Sequence, residues 1–187
     1  MLRRTTRLTS TKTKPAYVPC LEGLEPRVLP SSNPLLNAVL AFAEARLGHQ
    51  VGDGQCAALA IQALQRAGAN TRLGPSGPLA DYVWGSLVLA EVGGAGGGQV
   101  AAGSLDAVQP GDVVQFSDAR FVLSTPTFSS WHSFPHHTAI IEAYLGNGRF
   151  SILQQNVNGN LKVQHGVIDF AQLTTGTVWV YRPVPQG

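Results

Sequence analysis

The chain has 187 residues, of which 44% are hydrophobic and 13% charged, with 21 glycines and 12 prolines. This length and composition fit a single domain with a real core, and the glycines and prolines favour turns and loops over a helical bundle. The net charge of +2 arises from basic residues in the first fourteen positions. The remainder is mildly acidic, so nucleic acid is not an expected partner.

The first part of the chain, residues 1–33, is predicted to be a basic, proline-rich tail ahead of a single domain at residues 34–187. Prolines recur between residues 15 and 30 and prevent a helix of useful length there. Residues 21–30 resemble a short segment near the start of some large bacterial exported or surface proteins. The basic start lacks the apolar stretch of a conventional signal peptide, and no run approaches the roughly 18 apolar residues of a membrane span. The compartment is therefore left open, with export and the cell envelope among the options.

The two cysteines, Cys20 and Cys56, predict neither a thiolate zinc site nor a disulfide framework, because the chain has no Cys-x-x-Cys pair. A bridge between them is conceivable and would block Cys56. It is not favoured, because Cys20 lies in the predicted tail.

Two helices are predicted at the start of the domain. Asn33-Pro34 is a capped entry for the first helix, whose apolar residues recur at helical spacing until Gly48. A glycine-bracketed turn then leads into a second, apolar helix that begins at Cys56 and ends at Gly68.

From Pro110 onward the pattern changes to short strands separated by turns. Before it, the glycine run at residues 93–98 predicts a flexible loop and not a phosphate site, because no Lys-Ser/Thr ending follows. Asn147-Gly148 is a hairpin turn of the kind that joins antiparallel strands. Helices followed by strands predict an α+β domain, with N-terminal helices packed on a mostly antiparallel sheet. The predicted strands are residues 113–116, 138–144, 150–153, 161–163 and 177–181.

Cys56 is the first candidate for a catalytic residue. A helix start carries unpaired N–H groups and partial positive charge, which lower the pKa of a thiol and populate the nucleophilic thiolate. The alternative is that Cys56 is a small apolar residue packed at a helix end, and the segment alone favours that alternative. Residues further along the chain favour a catalytic role for Cys56.

His137 opens a predicted strand directly after a predicted loop at residues 125–136, which places its ring where it can serve as a general base. Gln154 and Asn156 end the next strand, so an amide from one of them can hold the imidazole in one orientation. An imidazolium near Cys56 would stabilise the thiolate further, in addition to the stabilisation by the helix start. An amide then suffices as the orienting group, because a resting thiolate–imidazolium pair already carries the charge.

Four short motifs follow one another along the chain: Gly54-Gln-Cys56, Pro110-Gly-Asp-Val-Val-Gln-Phe116, His137-Thr-Ala-Ile-Ile141 and Gln154-Gln-Asn-Val-Asn-Gly-Asn160. In this order they resemble the CHAP branch of the NlpC/P60 papain-like superfamily, over about residues 34–183. The resemblance implies that Cys56 is the nucleophile and His137 the base, with Gln154 in the third position. Members commonly have Glu at that position and Gly before the histidine, so the orienting residue stays open between Gln154 and Asn156.

Three further residues are candidates for binding substrate or an oxyanion, besides the backbone N–H of Cys56. Gln50, six residues before Cys56, is a candidate by resemblance to papain-like enzymes, and its alternative is a surface glutamine. Gln55 is a candidate because it belongs to the family motif. The sequence alone gives no physical reason for a role. Trp84 is expected either to wall the cleft or to fill the core, and the same alternatives hold for Tyr82.

The remaining histidines and the aromatic residues of the predicted loop have more than one interpretation. His132, His136 and His137 have no carboxylate partner at suitable spacing, so no metal site and no cofactor are predicted. Trp131 and Phe134 are expected either to form part of a lid over the cleft or to anchor their loop.

We therefore expect a cysteine amidohydrolase or peptidase, with a peptide or peptidoglycan-like substrate as the partner that the resemblance implies. We also expect a monomer. The alternative is a binding or interaction domain that keeps the fold without activity, for which Gln154 in place of an acid is the relevant feature. A third possibility is an intracellular isopeptidase or acyltransferase that uses the same Cys–His pair.

Overall fold

The computed structural model describes residues 31–71, 73–74 and 81–187. Residues 1–30 of the predicted tail, with Cys20 and any bridge from it to Cys56, lie outside the described residues, as does most of the segment 72–80. No helix in the described ranges is long and apolar enough to cross a membrane.

Both helices begin at the predicted residues: α1 spans Pro34–Glu44 and α2 spans Cys56–Ala67. The Asn33 side chain caps α1 by accepting a hydrogen bond from the Leu35 N–H at 3.0 Å. Gly68 ends α2 with a φ of 75°, a left-handed conformation that glycine adopts without strain. The two helices pack on each other, and α2 also packs on the sheet. Their buried residues are Leu36, Val39, Leu40, Ala43, Leu59, Ala60, Ala63 and Leu64.

Most of the remaining described chain forms one antiparallel sheet of seven strands, in the order β2-β1-β7-β3-β4-β5-β6. Short 3₁₀ turns precede β3 and β7. The strands are β1 Ser86–Val92, β2 Gln99–Gly103, β3 Val113–Thr125, β4 Phe128–Gly146, β5 Arg149–Gln154, β6 Gln164–Asp169 and β7 Leu173–Arg182. The predicted α+β class, with N-terminal helices on a mostly antiparallel sheet, is confirmed.

The sheet buries both of its faces at its centre, because apolar residues occupy both sets of alternating positions. Val113 lies opposite Ile140, and both belong to the cluster that packs under the helices. The next pair, Val114 and Ala139, belongs to a second cluster on the other face. Burial of each Leu, Ile or Phe side chain in these clusters contributes about 2 kcal/mol.

The predicted loop at residues 125–136 is wrong, because β3 continues to Thr125 and β4 already begins at Phe128. The two strands pair along this whole length as a hairpin that extends beyond the core. Backbone ladder bonds and surface contacts hold it, such as the Arg120 guanidinium 4.8 Å from the Trp131 ring centre. Strands without a buried face lack the alternating apolar pattern from which strands are predicted. His137 therefore lies inside a long strand and not at its start.

The edges of the sheet also differ from the prediction. Residues 161–163 form only isolated bridges, Val163 with Leu47 and Lys162 with Gln50, and β6 starts after them. Strands β1 and β2 were not predicted. β2 is exposed at every residue, so its sequence carries no pattern of burial.

Candidate active site

The turn before α2 delivers Cys56 to the first residue of that helix. Gly54 has a φ of +85° and lies so close to Leu161 that a Cβ would sit 2.9 Å from the Leu161 Cβ. Glycine is therefore required here both for its backbone conformation and for the space it leaves. The Asp53 carboxylate closes the turn by accepting a hydrogen bond from the Gln55 N–H at 2.9 Å.

Gln155, the residue after β5, ties this turn to the sheet. It is fully buried, and its Oε1 accepts a hydrogen bond from the Val51 N–H at 3.1 Å. Its Nε2 donates to the Val51 carbonyl at 3.0 Å and to the Gln55 carbonyl at 2.7 Å. The residue just before Cys56 is thus bonded to the residue just after Gln154, which fixes the position of the thiol relative to the sheet.

His137 lies in β4 among aromatic rings. The Phe134 ring stacks on the imidazole with centres 4.9 Å apart and planes 15° apart, and the Phe116 ring centre lies 5.9 Å away. The side chain of His137 is only 4% exposed. The rings therefore hold the imidazole in one plane and exclude most water from it.

Gln154, the last residue of β5, is the amide that contacts this imidazole. Its Oε1 lies 3.0 Å from His137 Nε2 in a buried hydrogen bond. Because a carbonyl oxygen can only accept, Nε2 carries the proton and Nδ1 is the unprotonated nitrogen of the neutral ring. Asn156 makes a different contact, since its Nδ2 donates to Gln55 Oε1 at 2.9 Å.

Cys56 and His137 both line one cleft of about 490 Å³. The sulfur side of the cleft is formed by the first turns of α2, and the imidazole side by β4. One part of the wall is apolar or aromatic, comprising Ala57, Ala58, Ile61 and Tyr82, and another part is polar, comprising Asp53, Gln55, His136 and Asn156.

The resting protonation of the pair differs from the sequence-based expectation of a thiolate and an imidazolium. Burial, with a smaller contribution from the neighbouring His136, lowers the pKa of His137 to about 4, against the opposing effect of its hydrogen bond to Gln154. Burial raises the pKa of the Cys56 thiol, and this outweighs the lowering effect of hydrogen bonds from Thr138 and from the helix start. Desolvation disfavours both charges, so the Cys56 thiol and the His137 imidazole are both neutral near pH 7.

Thr138 connects Cys56 to a buried network of polar groups. Its backbone N–H and its hydroxyl both bond the Cys56 thiol and lower its pKa. The same hydroxyl lies 2.9 Å from Gln115 Oε1, so its single proton is shared between that oxygen and the Cys56 sulfur, and Trp84 Nε1 donates to Gln115 Oε1 at 3.1 Å. Thr138 and Gln115 have no exposed surface, so this network holds the floor of the cleft in one arrangement.

Two residues predicted to bind substrate lie outside the set that lines the cleft. Trp84 has no exposed surface and fills the core, and Tyr82 supplies an aromatic wall in its place. The exposed Gln50 donates its side-chain amide to the Gly52 carbonyl at 3.2 Å, within its own turn. Gln55 does line the cleft.

The remaining histidines have structural partners. His136 Nε2 lies 3.2 Å from Gln115 Nε2 and 3.8 Å from Asp81 Oδ1, at the wall of the cleft. His132 stacks on Phe121 with ring centres 5.1 Å apart. Among the described residues, no group of three or more His, Cys, Asp or Glu side chains is arranged to hold a metal ion.

Sequence reasoning missed Thr138, His136 and Asp53 as residues around the thiol. Strand alternation places Thr138 on the face of β4 opposite to His137, so a thiol predicted beside His137 gave no reason to expect Thr138 beside it as well. The contacts of Asp53 depend on how its loop folds over the helix, which no local pattern predicts.

The helices, the antiparallel sheet and the cleft between them define a cysteine proteinase fold, which agrees with the fold predicted from the motifs. The chain belongs to the family of the AIM3/BBC1 cysteine proteinase-fold domain, which it matches over residues 34–187.

Two kinds of relatives are similar to this chain. It is 28% identical over 152 residues to Altered inheritance of mitochondria protein 3 of Debaryomyces hansenii, a match that covers 80% of this chain and 16% of that protein. The chain therefore spans a small part of that relative's length. Crystal structures of Ly7917, alone and with the hydrolyzing product of MDP, are similar with a TM-score of 0.47 and 21% identity, covering 79% of this chain and 62% of theirs.

Proposed function

We propose that this domain hydrolyses amide bonds as a cysteine amidohydrolase or peptidase, with Cys56 as nucleophile and His137 as base. The observation that carries the proposal is the shared cleft, which is lined both by Cys56, with its half-buried side chain, and by His137. The bond to Gln154 supports it, because it holds the proton on Nε2 and leaves Nδ1 free to act as a base. The resemblance of the four motifs to the CHAP branch supports the same roles.

In the proposed reaction, His137 Nδ1 takes the proton of the Cys56 thiol as the sulfur attacks the carbonyl carbon of the amide. The tetrahedral intermediate collapses as the imidazolium gives its proton to the leaving amine, which produces a thioester. Water, activated by the same imidazole, then attacks the thioester and releases a carboxylic acid and the free thiol. One amide and one water thus give one amine and one acid.

The oxyanion of the intermediate needs donors at the start of α2. The backbone N–H of Cys56 lies at that point, where helix geometry leaves N–H groups without partners inside the helix. Gln55 lines the cleft, and because its Oε1 accepts from Asn156, its NH₂ group is oriented as a second donor. We place the oxyanion between these two groups.

One observation favours a second candidate, a binding domain without activity. The pKa values of Cys56 and His137 are shifted in the directions that disfavour a resting ion pair, and Gln154 supplies no negative charge to reverse this. A neutral pair still transfers a proton when substrate binds, and the buried imidazole is a base over a wide range of pH. The enzyme remains the leading proposal for that reason.

The substrate is proposed only as far as a peptide amide. Peptidoglycan peptides are implied by the resemblance to the CHAP branch, whereas the matched curated relative is a yeast protein and peptidoglycan is a bacterial polymer. The assay therefore includes both kinds of substrate.

The test incubates the full chain with a mixed peptide library and with purified cell-wall peptides in ¹⁸O-water, followed by mass spectrometry. We expect new amines and acids, with one ¹⁸O atom in each acid, and loss of at least about a hundredfold in rate in Cys56→Ala and His137→Ala. Products that persist in both variants, or a parent protein that binds a peptide and never cleaves it, would overturn the proposal. The second result would establish the binding domain instead.

A further inference from the structure

Gly166, in the edge strand β6, lies directly beside the amide of Gln154. The backbone of Gln154 pairs with Gln164, and Gly166 pairs with Ile152, so all four residues share one face of the two strands. A Cβ placed on Gly166 would overlap the Gln154 Nε2 atom and lie 3.0 Å from its Cδ. The Gln154 side chain therefore occupies the space that a side chain at position 166 would fill.

The backbone gives no reason for glycine at this position. Gly166 pairs in regular register inside β6 and has no positive φ, so any residue could adopt its conformation. Glycine within a strand costs stability, and where it occurs it often allows another group to approach closely. The close group here is the amide that bonds the proposed catalytic base.

A second space is open to the Gln154 amide. Gln154 also lines a groove of about 560 Å³, together with Phe134, Val157 and Asn158. A methyl group at position 166 would push Nε2 away, and because the amide is planar and rigid, Oε1 would move with it. The bond of 3.0 Å to His137 Nε2 would then be lost or lengthened as the amide turned into the groove.

We propose that Gly166 is a positioning residue, whose missing side chain leaves Gln154 in place to hold the proton of His137 on Nε2. It acts on the imidazole only through Gln154. Its importance for turnover rests on the proposed function, but its effect on the tautomer of His137 does not.

The test uses ¹⁵N-histidine NMR on the full chain at neutral pH, which reports which ring nitrogen carries the proton. In the parent we expect His137 as the Nε2–H tautomer. In Gly166→Ala we expect a mixture of tautomers that matches Gln154→Ala. Gly96→Ala is the control, because a Cβ there meets nothing within 4 Å, and its His137 signals should match the parent.

The double variant Gly166→Ala/Gln154→Ala decides whether the two residues act as a unit. If they do, its His137 signals equal those of Gln154→Ala alone. A parent-like tautomer in Gly166→Ala, or a further change when Gly166→Ala is added to the Gln154→Ala variant, would overturn the proposal. If Gly166→Ala fails to fold, removing the overlapping side chain in the double variant should restore folding, and its failure to do so would also overturn the proposal.

Turnover provides the second measurement. If the domain is a hydrolase, kcat should fall about a hundredfold in both single variants with little change in KM, since the amide touches the base and not the substrate. If no turnover is found in the parent, the proposed function fails while the tautomer experiment still decides the role of Gly166.

Discussion

His137 and Gln154 lie on neighbouring strands, β4 and β5, and are joined by one buried hydrogen bond of 3.0 Å from the ring Nε2–H to the amide Oε1. The bond has two consequences for the cleft. It fixes the tautomer that leaves Nδ1 as a base, and it stabilises the imidazolium that forms when Nδ1 takes a proton. Gln154 is thus the one partner that raises the pKa of an imidazole whose pKa burial lowers to about 4.

Replacing Gln154 by Glu should raise the pKa of His137, because a carboxylate beside the ring favours the imidazolium. Replacing it by Ala should lower the pKa, because the bond that favours the charged ring is lost. NMR titration of His137 in the two variants and the parent measures both shifts. Shifts of the same sign in Gln154→Glu and Gln154→Ala would contradict the assigned contact.

Alkylation of Cys56 by iodoacetamide should be slow at pH 7 and should accelerate continuously as the pH rises. Burial raises the pKa of this thiol, so the reactive thiolate is a minor species at neutral pH. The rate is measured between pH 5 and 10 on Cys20→Ser, in which Cys56 is the single thiol, with Cys56→Ser as the matched control. A rate that is already constant between pH 5 and 8 would instead demonstrate a resting thiolate–imidazolium pair.

Replacing Thr138 by Val should raise the pKa of Cys56 further, because the hydroxyl bond that lowers it is removed. It should also reduce the free energy of unfolding by about 1 kcal/mol, since Gln115 Oε1 loses one of its two donors. The alkylation profile and urea denaturation give the two values. Thr138→Ser keeps the hydroxyl and should resemble the parent in both, so a Val variant that behaves like the Ser variant would count against the network.

The helices and the position of the Cys56 thiol at a helix start could be predicted because their signals are local. Asn33-Pro34 and Gly68 mark helix ends through backbone chemistry that acts within a few residues, and Cys56 lies next to a glycine turn. The extended β3–β4 hairpin could not be predicted, because exposed strands are held by pairing with each other and leave no pattern of burial.

The site shows the same division between local and distant causes. His137 and Gln154 could be placed together from one hairpin and a motif, because strand pairing brings their backbones close. The protonation state of His137 could not be predicted, because it depends on the Phe134 and Phe116 rings, which exclude water from the imidazole. Helix-start chemistry predicted a lowered pKa for Cys56, and burial, a property of the whole fold, outweighs it.

The ion pair between Asp112 and Arg182 should be essential for stability. The Asp112 carboxylate has no exposed surface, and Arg182 donates to both of its oxygens, from Nε at 3.0 Å and from Nη2 at 2.8 Å. Arg182→Ala would leave a buried carboxylate without its cation, which should lower the free energy of unfolding by about 3 kcal/mol. Urea denaturation measures the loss, and Arg149→Ala, which removes an exposed arginine, is the control. Equal losses in both variants would contradict the role of the pair.

Glu91 should make the domain less stable as the pH rises through neutrality. Its side chain is 2% exposed, and its Oε2 has no hydrogen-bond partner among the described residues. Burial, with a smaller contribution from the nearby Asp169, raises its pKa from 4.5 to about 7. The folded protein therefore holds a proton that the unfolded chain releases above about pH 4.5. Stability falls as the pH rises from there through 7, by as much as about 3 kcal/mol.

Glu91→Gln removes this titration and should keep the stability that the parent loses. The difference in free energy of unfolding between variant and parent should be small at pH 4.5, should grow in favour of the variant up to about pH 8, and should then stay constant. Urea denaturation at several pH values measures it, and subtracting the parent removes the effect of every other titrating group. Asp106→Asn, at an exposed carboxylate, is the matched control and should show no such trend. A Glu91→Gln difference that is independent of pH would mean that Glu91 is ionised in the folded protein throughout this range.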